Sequence, residues 1–255
     1  MITTIAIANQ KGGVGKTSLS INCAAALAEK RRRVLLVDLD PQFNCTTGIG
    51  VDPAANGKAP TVYDLLLDPK LPAGAAIHKT PIEGVDLIPA SLELAGAELQ
   101  LPQQVGAERL LQEALTRVTG YDYILIDCPP SLGRLTLNAL TAATHVIVPV
   151  QVGKWALAGT GQLLDTIDLV KQRLNANLQV LGVVCTFYDA RTSLSEEILN
   201  KLKEQFGTLL FTTIIKTASK VGEASVADKP VTLYATTSEP ARRYRELAAE
   251  VESRL

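Results

Sequence analysis

Ile2 to Ala8 is a short, β-branched apolar run that ends at once in a glycine-rich segment. Behind it, Ser18 to Lys30 carries alanine and leucine at the spacing of a helix with one buried face, and Val34 to Asp38 is a second apolar run. Strand, loop, helix and strand in that order form a βαβ unit, for which a right-handed crossover is close to obligatory. Further buried strands are predicted at Val85–Ile88, Tyr123–Asp127, His145–Val150, Val180–Thr186 and Leu209–Ile215, with helical patterns at about 105–118, 132–143, 157–174, 194–206 and 239–253. Continuous apolar runs alternating with helices predict an α/β fold of three layers, a mainly parallel sheet with helices on both faces. Residues 48–83, rich in Pro, Gly and Ala, read as surface loops around a short helix near Val62–Leu67. The pattern shows no internal repeat and no linker long enough to divide the chain, so residues 1–255 are expected to form a single domain.

Composition narrows this picture only a little. Aromatic residues make up 4% of the chain, while Ala, Val, Leu and Ile abound, which suits helices on a buried sheet better than a β-sandwich. The net charge is −1, so the whole molecule does not attract polyanions. Residues 171–255 carry a formal +2 and the first 170 residues −3, so a polyanion site has to be a local patch or a product of assembly. Cys23, Cys45, Cys128 and Cys185 form no CxxC pair and read as reduced thiols of a cytosolic protein. No charged leader precedes the first strand, and no stretch approaches the roughly 18 apolar residues of a membrane span.

The chemistry concentrates in Lys11-Gly12-Gly13-Val14-Gly15-Lys16-Thr17, followed by Ser18. Small residues between a strand and a helix let backbone N–H groups converge on an anion, and the helix N-terminus adds partial positive charge. Lys16 is placed to reach the β- and γ-phosphates of a nucleotide, and the Thr17 hydroxyl to ligate Mg²⁺. The common pattern GxxxxGK[ST] would require glycine at Gln10, and Lys11 follows it. A second lysine there has little room at its own loop's phosphates. It either reaches into a partner's nucleotide or is a solvated loop lysine.

Together with Val37-Asp38-Leu39-Asp40-Pro41-Gln42 and Ile126-Asp127-Cys128-Pro129-Pro130, the loop resembles the deviant Walker A ATPases of the ParA/MinD group. Tyr188-Asp189-Ala190-Arg191-Thr192 points to the ParA/Soj branch, and the likeness runs from about Ile2 to Val251. The resemblance implies a P-loop NTPase fold with ATP and Mg²⁺ as cofactors. It implies catalytic roles for Lys11, acting in trans within a homodimer, for Lys16, and for Asp40, which would position the attacking water. It further implies that Asp127 is the acid near Mg²⁺ and that Asp38 joins the magnesium shell with Thr17; the other reading of Asp38 is a loop cap. All three aspartates are expected at the carboxyl ends of strands, where ligands gather in parallel sheets. Arg191 and Lys220 match positions of the resembled family that bind DNA phosphates without reading bases, and Lys216, Lys201 and Lys203 are candidates for the same patch; the other reading is solvated helix and loop charges.

Three places depart from the pattern of the resemblance. Phe43 stands where relatives often carry glycine, and Lys154 stands where the stretch after the fifth strand tends to be acidic; it is either a cation at a dimer face or an exposed lysine. Lys216-Thr217-Ala218 replaces the Pro-Arg-Asn that helps bind adenine in many relatives, so a preference for ATP has to rest on other contacts. The expected function is a cytoplasmic, nucleoid-associated switch. ATP closes a dimer, the dimer binds nonspecific DNA, and a cargo-bound adaptor of ParB or McdB type stimulates hydrolysis. The cargo is a plasmid or chromosome, or alternatively a protein assembly such as a carboxysome. A membrane-cycling ATPase like MinD is a further alternative. It would need a bulky apolar face on the last helix, where the chain offers Ala241, Tyr244, Leu247, Ala248 and Val251, the spacing of a helix packed on the sheet. A metabolic P-loop enzyme would need a second-substrate pocket, which the sequence does not make evident.

Overall fold

The computed structural model describes residues 2–52, 59–153 and 158–255. The chain opens with β1 (Thr3–Ile7), α1 (Lys16–Glu29), β2 (Val34–Asp38), α2 (Asn44–Gly48) and α3 (Val62–Leu67). It continues through β3 (His78–Lys79), β4 (Val85–Ile88), α4 (Leu94–Gln100), α5 (Leu110–Thr116), β5 (Tyr123–Asp127) and α6 (Arg134–Ala142). The last third holds β6 (His145–Gln151), α7 (Ala158–Arg173), β7 (Gln179–Thr186), α8 (Ser193–Phe206), α9 (Ser219–Val226), α10 (Val231–Tyr234) and α11 (Glu239–Arg254).

The strands form one sheet in the order β3-β4-β2-β5-β1-β6-β7, parallel throughout except for the short β3. Helices cover both faces. On one face the core includes Leu66, Leu94, Leu111, Leu140, Leu163, Ile167 and Leu202, and on the other Leu19, Leu27, Leu247 and Val251 pack over Ile5, Leu36 and Leu125. Burial on both sides is why these strands read as unbroken apolar runs. The apolar stripe of α11, Ala241 to Val251, is buried against α1 as the spacing predicted.

One predicted strand is not a strand. Leu209–Ile215 runs beside β7 but pairs with it only at isolated points. Phe211 N–H donates to Val183 C=O at 2.8 Å, and the next such bond comes from Ile215 N–H to Cys185 C=O at 2.9 Å. Four residues of the segment therefore span two residues of β7, and the surplus loops outward. Glu250 of α11 holds the loop: its carboxylate accepts from the N–H groups of Thr212 (2.8 Å) and Thr213 (2.9 Å) and from the Thr212 hydroxyl (2.9 Å). A side-chain carboxylate has replaced the ladder for two donors, which an apolar run cannot signal. Gly182 permits the close approach, because a Cβ there would lie 2.5 Å from the Phe211 ring and 2.6 Å from Leu209 O.

The region of 48–83 contains α3 at Val62–Leu67 as predicted, but also the unpredicted edge strand β3. The helix expected over 105–118 is confined to Leu110–Thr116, and α4, α9 and α10 were not predicted; they are short and lack a long apolar period. Lys154 lies outside the described residues.

Burial alone would raise the carboxyl pKa of Glu250, but the donors from Thr212 and Thr213 and the Arg254 guanidinium override it and hold the pKa at about 2, below the ordinary 4.5. A pKa depressed by folding gives stability that is full above the unfolded value and lost as pH falls through the folded one. Glu250→Gln is therefore expected to cost about 1–3 kcal/mol in urea unfolding at pH 7. Wild type and variant should converge in stability as the pH falls from 4.5 toward 2.

Candidate nucleotide site

The register of the sheet brings the chemical groups together. Asp127 ends β5, and its neighbours across the sheet are Ile7 of β1 and Asp38 of β2. The glycine loop leaves β1 at the same edge. Gly13 and Gly15 have φ of +73° and +88°, backbone that side chains disfavour, and Gly15 is the N-cap of α1. Lys16 therefore begins a helix aimed at the loop, with Thr17 and Ser20 turned toward the end of β5.

Asp127 is completely buried. Its Oδ2 accepts from the Thr17 hydroxyl at 2.7 Å and its Oδ1 from the Ser20 hydroxyl at 3.0 Å. Burial first, and then the neighbouring Asp38 charge, push its pKa well up, while Thr17, Ser20 and Lys16 act in the opposite direction. Asp38, also completely buried, accepts from the Asp40 N–H at 3.1 Å and from the N–H and hydroxyl of Thr46 at 2.8 and 2.7 Å. Burial raises its pKa against these donors. Lys16 is 7% exposed, and its ammonium donates to the Lys11 carbonyl at 3.3 Å. Burial lowers its pKa, with Asp127 foremost among the charges that resist.

Beside these groups lies an open cavity of about 460 Å³. Gly12, Gly13, Gly15, Lys16, Thr17 and Ser18 line it, together with Asp40, Gln42, Asn44 and Thr47 from the β2–α2 segment and Phe187, Ser225, Asp228 and Lys229 from the end of β7 and from α9 and the turn after it. Asp40 thus faces the cavity, as the strand-end position predicted. Asp38 and Asp127 sit behind the lining, and Lys11, half-buried, is not part of it. Asp38 ties the Asp40 turn and α2 to the sheet.

Several residues that hold the loop were not singled out from sequence. Asn9 donates to Pro149 C=O at 2.8 Å and accepts from Lys11 N–H at 3.0 Å, and the Thr186 hydroxyl donates to Val14 C=O at 2.9 Å. These bonds fasten the loop to the ends of β6 and β7. Ser20 and Thr46 do the same for the two aspartates. Their only signal in sequence is that polar residues stand inside otherwise apolar helical or strand-end stretches. Phe43 has φ +44°, which is why glycine suits its position; here a ring packed against the core accompanies the strained backbone.

Residues that could hold a divalent cation are few. Among the described residues no cluster of three or more His, Cys, Asp or Glu has metal-ligand geometry. Three buried carboxylates, Asp38, Asp40 and Asp127, stand about a single buried ammonium, however, so added positive charge is favoured. The Thr17 hydroxyl spends its proton on Asp127 and keeps its lone pairs for a metal. This donor set fits magnesium, which takes most of its ligands from phosphates and water.

The candidate DNA residues lie just beyond the end of β7 and at the start of α9, on the segments that also supply Phe187 and Ser225 to the cavity lining. Tyr188 N–H donates to Ile215 C=O and Thr217 N–H to Tyr188 C=O, both at 3.1 Å, which sets the Arg191 loop beside Lys216 and near Lys220 on the first turn of α9. Each cation has a carboxylate neighbour: Arg191 with Asp189 (2.8 Å), Lys216 with Glu239 (2.8 Å), Lys220 with Glu223 (2.6 Å). Lys201 pairs likewise with Glu197 at 2.6 Å. Such exposed pairs are weak and exchange readily for another anion.

A glycine turn that opens a helix against strand-end carboxylates defines the class of P-loop nucleotide-binding proteins. The relatives narrow the class. Residues 2–180 match the family described as AAA domain. The chain is 46% identical to the chromosome-partitioning ATPase Soj of Thermus thermophilus, over 100% of this chain and 97% of that protein. It is 41% identical, with a TM-score of 0.84, to a Mycobacterium smegmatis protein described as cobyrinic acid a,c-diamide synthase and solved with an ATP analogue and magnesium, covering 98% and 93% of the two chains. Apo McdA of Cyanothece superposes with a TM-score of 0.88 over 99% of this chain and 100% of that one at 21% identity, a likeness of fold alone. The chain belongs to the ParA/MinD family, on its ParA/Soj branch.

Thr46→Val would leave the buried Asp38 carboxylate short of a hydroxyl donor and Ala90 N–H short of an acceptor. The expected result is a loss of about 1–3 kcal/mol in chemical unfolding.

Proposed function

We propose that this chain is an ATP-gated partitioning switch that dimerises around nucleotide, binds nonspecific DNA, and is reset by an adaptor bound to a plasmid or chromosome. The observation that carries the reading is the position of Lys11. It belongs to the phosphate loop yet does not line that loop's own cavity, while Lys16 does. A cation so placed is suited to a nucleotide held by a second copy. Because it contacts nucleotide only in the dimer, it supplies the differential affinity without which nucleotide would shift nothing.

In this reading Lys16 and the loop amides hold the β- and γ-phosphates, and Thr17, backed by Asp127, ligates magnesium with Asp38 behind it. Magnesium, when bound, neutralises phosphate charge. Asp40, on the cavity wall, orients the attacking water, and Lys11 of the second copy stabilises the charge that develops on the phosphates. Phosphoryl transfer needs this kind of positioning more than covalent help. Dimerisation doubles the Arg191, Lys216 and Lys220 cations on one face, and exchange of their carboxylate partners for DNA phosphates gives binding without sequence readout.

The proposed setting is the cytoplasm, at the nucleoid. Support for chromosome or plasmid cargo comes from the partitioning relatives; the likeness to McdA does not reach beyond the fold. The apolar stripe of α11 is engaged by α1, which leaves it unavailable to a lipid surface.

The test is binding of nonspecific duplex DNA and of anionic liposomes, each with and without MgATP. DNA binding is expected only with ATP and is expected to fall steeply with salt. Lys16→Ala and Lys11→Ala should abolish it, and Arg191→Ala should weaken it and flatten the salt slope by about one per cation removed. Liposomes should not bind. DNA binding that is absent or indifferent to nucleotide sinks the proposal.

A further inference from the structure

Gly133 is the N-cap of α6 and brings no side chain to the unpaired first donors of that helix. Glu98, half-buried on α4, supplies the cap instead. Its carboxylate accepts from Arg134 N–H at 2.8 Å and from Leu135 N–H at 3.2 Å. A negative charge at a helix N-terminus also meets the helix dipole favourably. The contact depends on glycine, because a Cβ on Gly133 would lie 2.5 Å from Glu98 Oε1. Leu94 and Ala97 bury the other side of α4 in the core, so the carboxylate is carried by an anchored helix. Glu108, just ahead of α5, pairs with the Arg134 guanidinium, and the first residue of α6 is thus held from two elements.

What this fixes lies upstream in the chain. Asp127 ends β5, and Cys128 N–H still donates to Ile7 C=O at 3.2 Å. Pro129 and Pro130 have no N–H to give. The segment is next held at Ser131, whose carbonyl accepts from the hydroxyl of Thr136, in the first turn of α6, at 2.6 Å. Pro130 belongs to the cavity lining beside Gly12, where a Cβ would meet Pro130 Cβ at 3.9 Å. Gly12 is the chain neighbour of Lys11.

We propose that Glu98 is a positioning residue for nucleotide hydrolysis. Through the first turn of α6 it holds Pro130 beside Gly12, and with it the edge of the phosphate loop that carries Lys11. The inference rests on the reading above, in which Lys11 serves the nucleotide of a second copy. It also says which step depends on Glu98. Thr17 and Ser20 bond directly to Asp127, so α1 and Lys16 keep their place without α4. Binding of nucleotide in the chain's own cavity is then independent of Glu98, and turnover is not. A helix cap alone could come from a side chain at position 133 itself. A carboxylate reaching across from α4 adds a fixed distance between the two helices.

The experiment is steady-state hydrolysis of MgATP by the full chain, with calorimetric titration of MgATP and thermal unfolding alongside. The variants are Glu98→Ala, Gly133→Ala, the two combined, Glu98→Ala with Gly133→Ser, and Lys16→Ala. Glu98→Ala and Gly133→Ala should each lower kcat about tenfold and leave KM and the MgATP Kd within about twofold, the mark of lost positioning with binding kept. Because both remove one contact, their combination should fall no further than either alone. Gly133→Ser in the Glu98→Ala background gives α6 a cap of its own but no tie to α4, so kcat should stay low. The proposal is overturned by single variants that turn over as wild type does, by a Kd that weakens in parallel with kcat, or by recovery of kcat with Gly133→Ser. Wild type that neither binds nor hydrolyses MgATP, or Lys16→Ala that does both as wild type does, removes the nucleotide reading itself, and this inference with it.

Discussion

The Asp127 carboxylate fastens the sheet to the phosphate loop, and its adjacency to Asp38 sets the electrostatics of the whole site. Its two oxygens are divided between Thr17 and Ser20 of α1, so the first turn of that helix cannot shift without leaving a buried charge short of a donor. The parallel register makes Asp38 its neighbour on β2. Two buried carboxylates side by side are unfavourable, and one buried ammonium does not offset both. The site is therefore built short of positive charge. Asp38 in turn holds the Asp40 turn and α2 through Asp40 N–H and Thr46. A cation arriving near Thr17 would act on the same carboxylate pair that anchors the Asp40 turn, so the loop and that turn share one electrostatic origin.

The end of β7 is joined to the loop just as directly. Thr186 bonds to Val14, Phe187 lies on Gly15, and Tyr188 exchanges backbone bonds with Ile215 and Thr217. Three successive residues thus run from the phosphate loop to the segment that carries Arg191 and Lys216. The end of β7 therefore belongs both to the cavity lining and to the segment that carries Arg191 and Lys216.

The layers and most strands were legible because burial on both faces writes itself as continuous apolar runs, as at Tyr123–Asp127. The phosphate loop was legible because close backbone approach demands glycine at Gly13 and Gly15. Leu209–Ile215 misled for a physical reason: its residues are apolar and extended, but two of its donors belong to Glu250, some forty positions away. Asn9, Ser20, Thr46 and Thr186 were equally silent, since a single buried polar residue acquires meaning only when its partner is known. Phe43 and Asp228 invert the rule that located the loop glycines, for left-handed backbone there carries a full side chain and no glycine marks it.

Lys11 and Lys16 are held in one short loop in different ways. Lys16 starts α1, so its side chain is committed to the cavity and stays buried there beside the strand-end carboxylates. Lys11 precedes the glycines, and its N–H is tied to Asn9 while its carbonyl receives the Lys16 ammonium. Both backbone groups of Lys11 are thus engaged in holding the loop closed, and its side chain contributes nothing to the cavity lining. The closed shape of the loop thus rests on the Lys11 backbone and the Lys16 ammonium, independently of the Lys11 side chain.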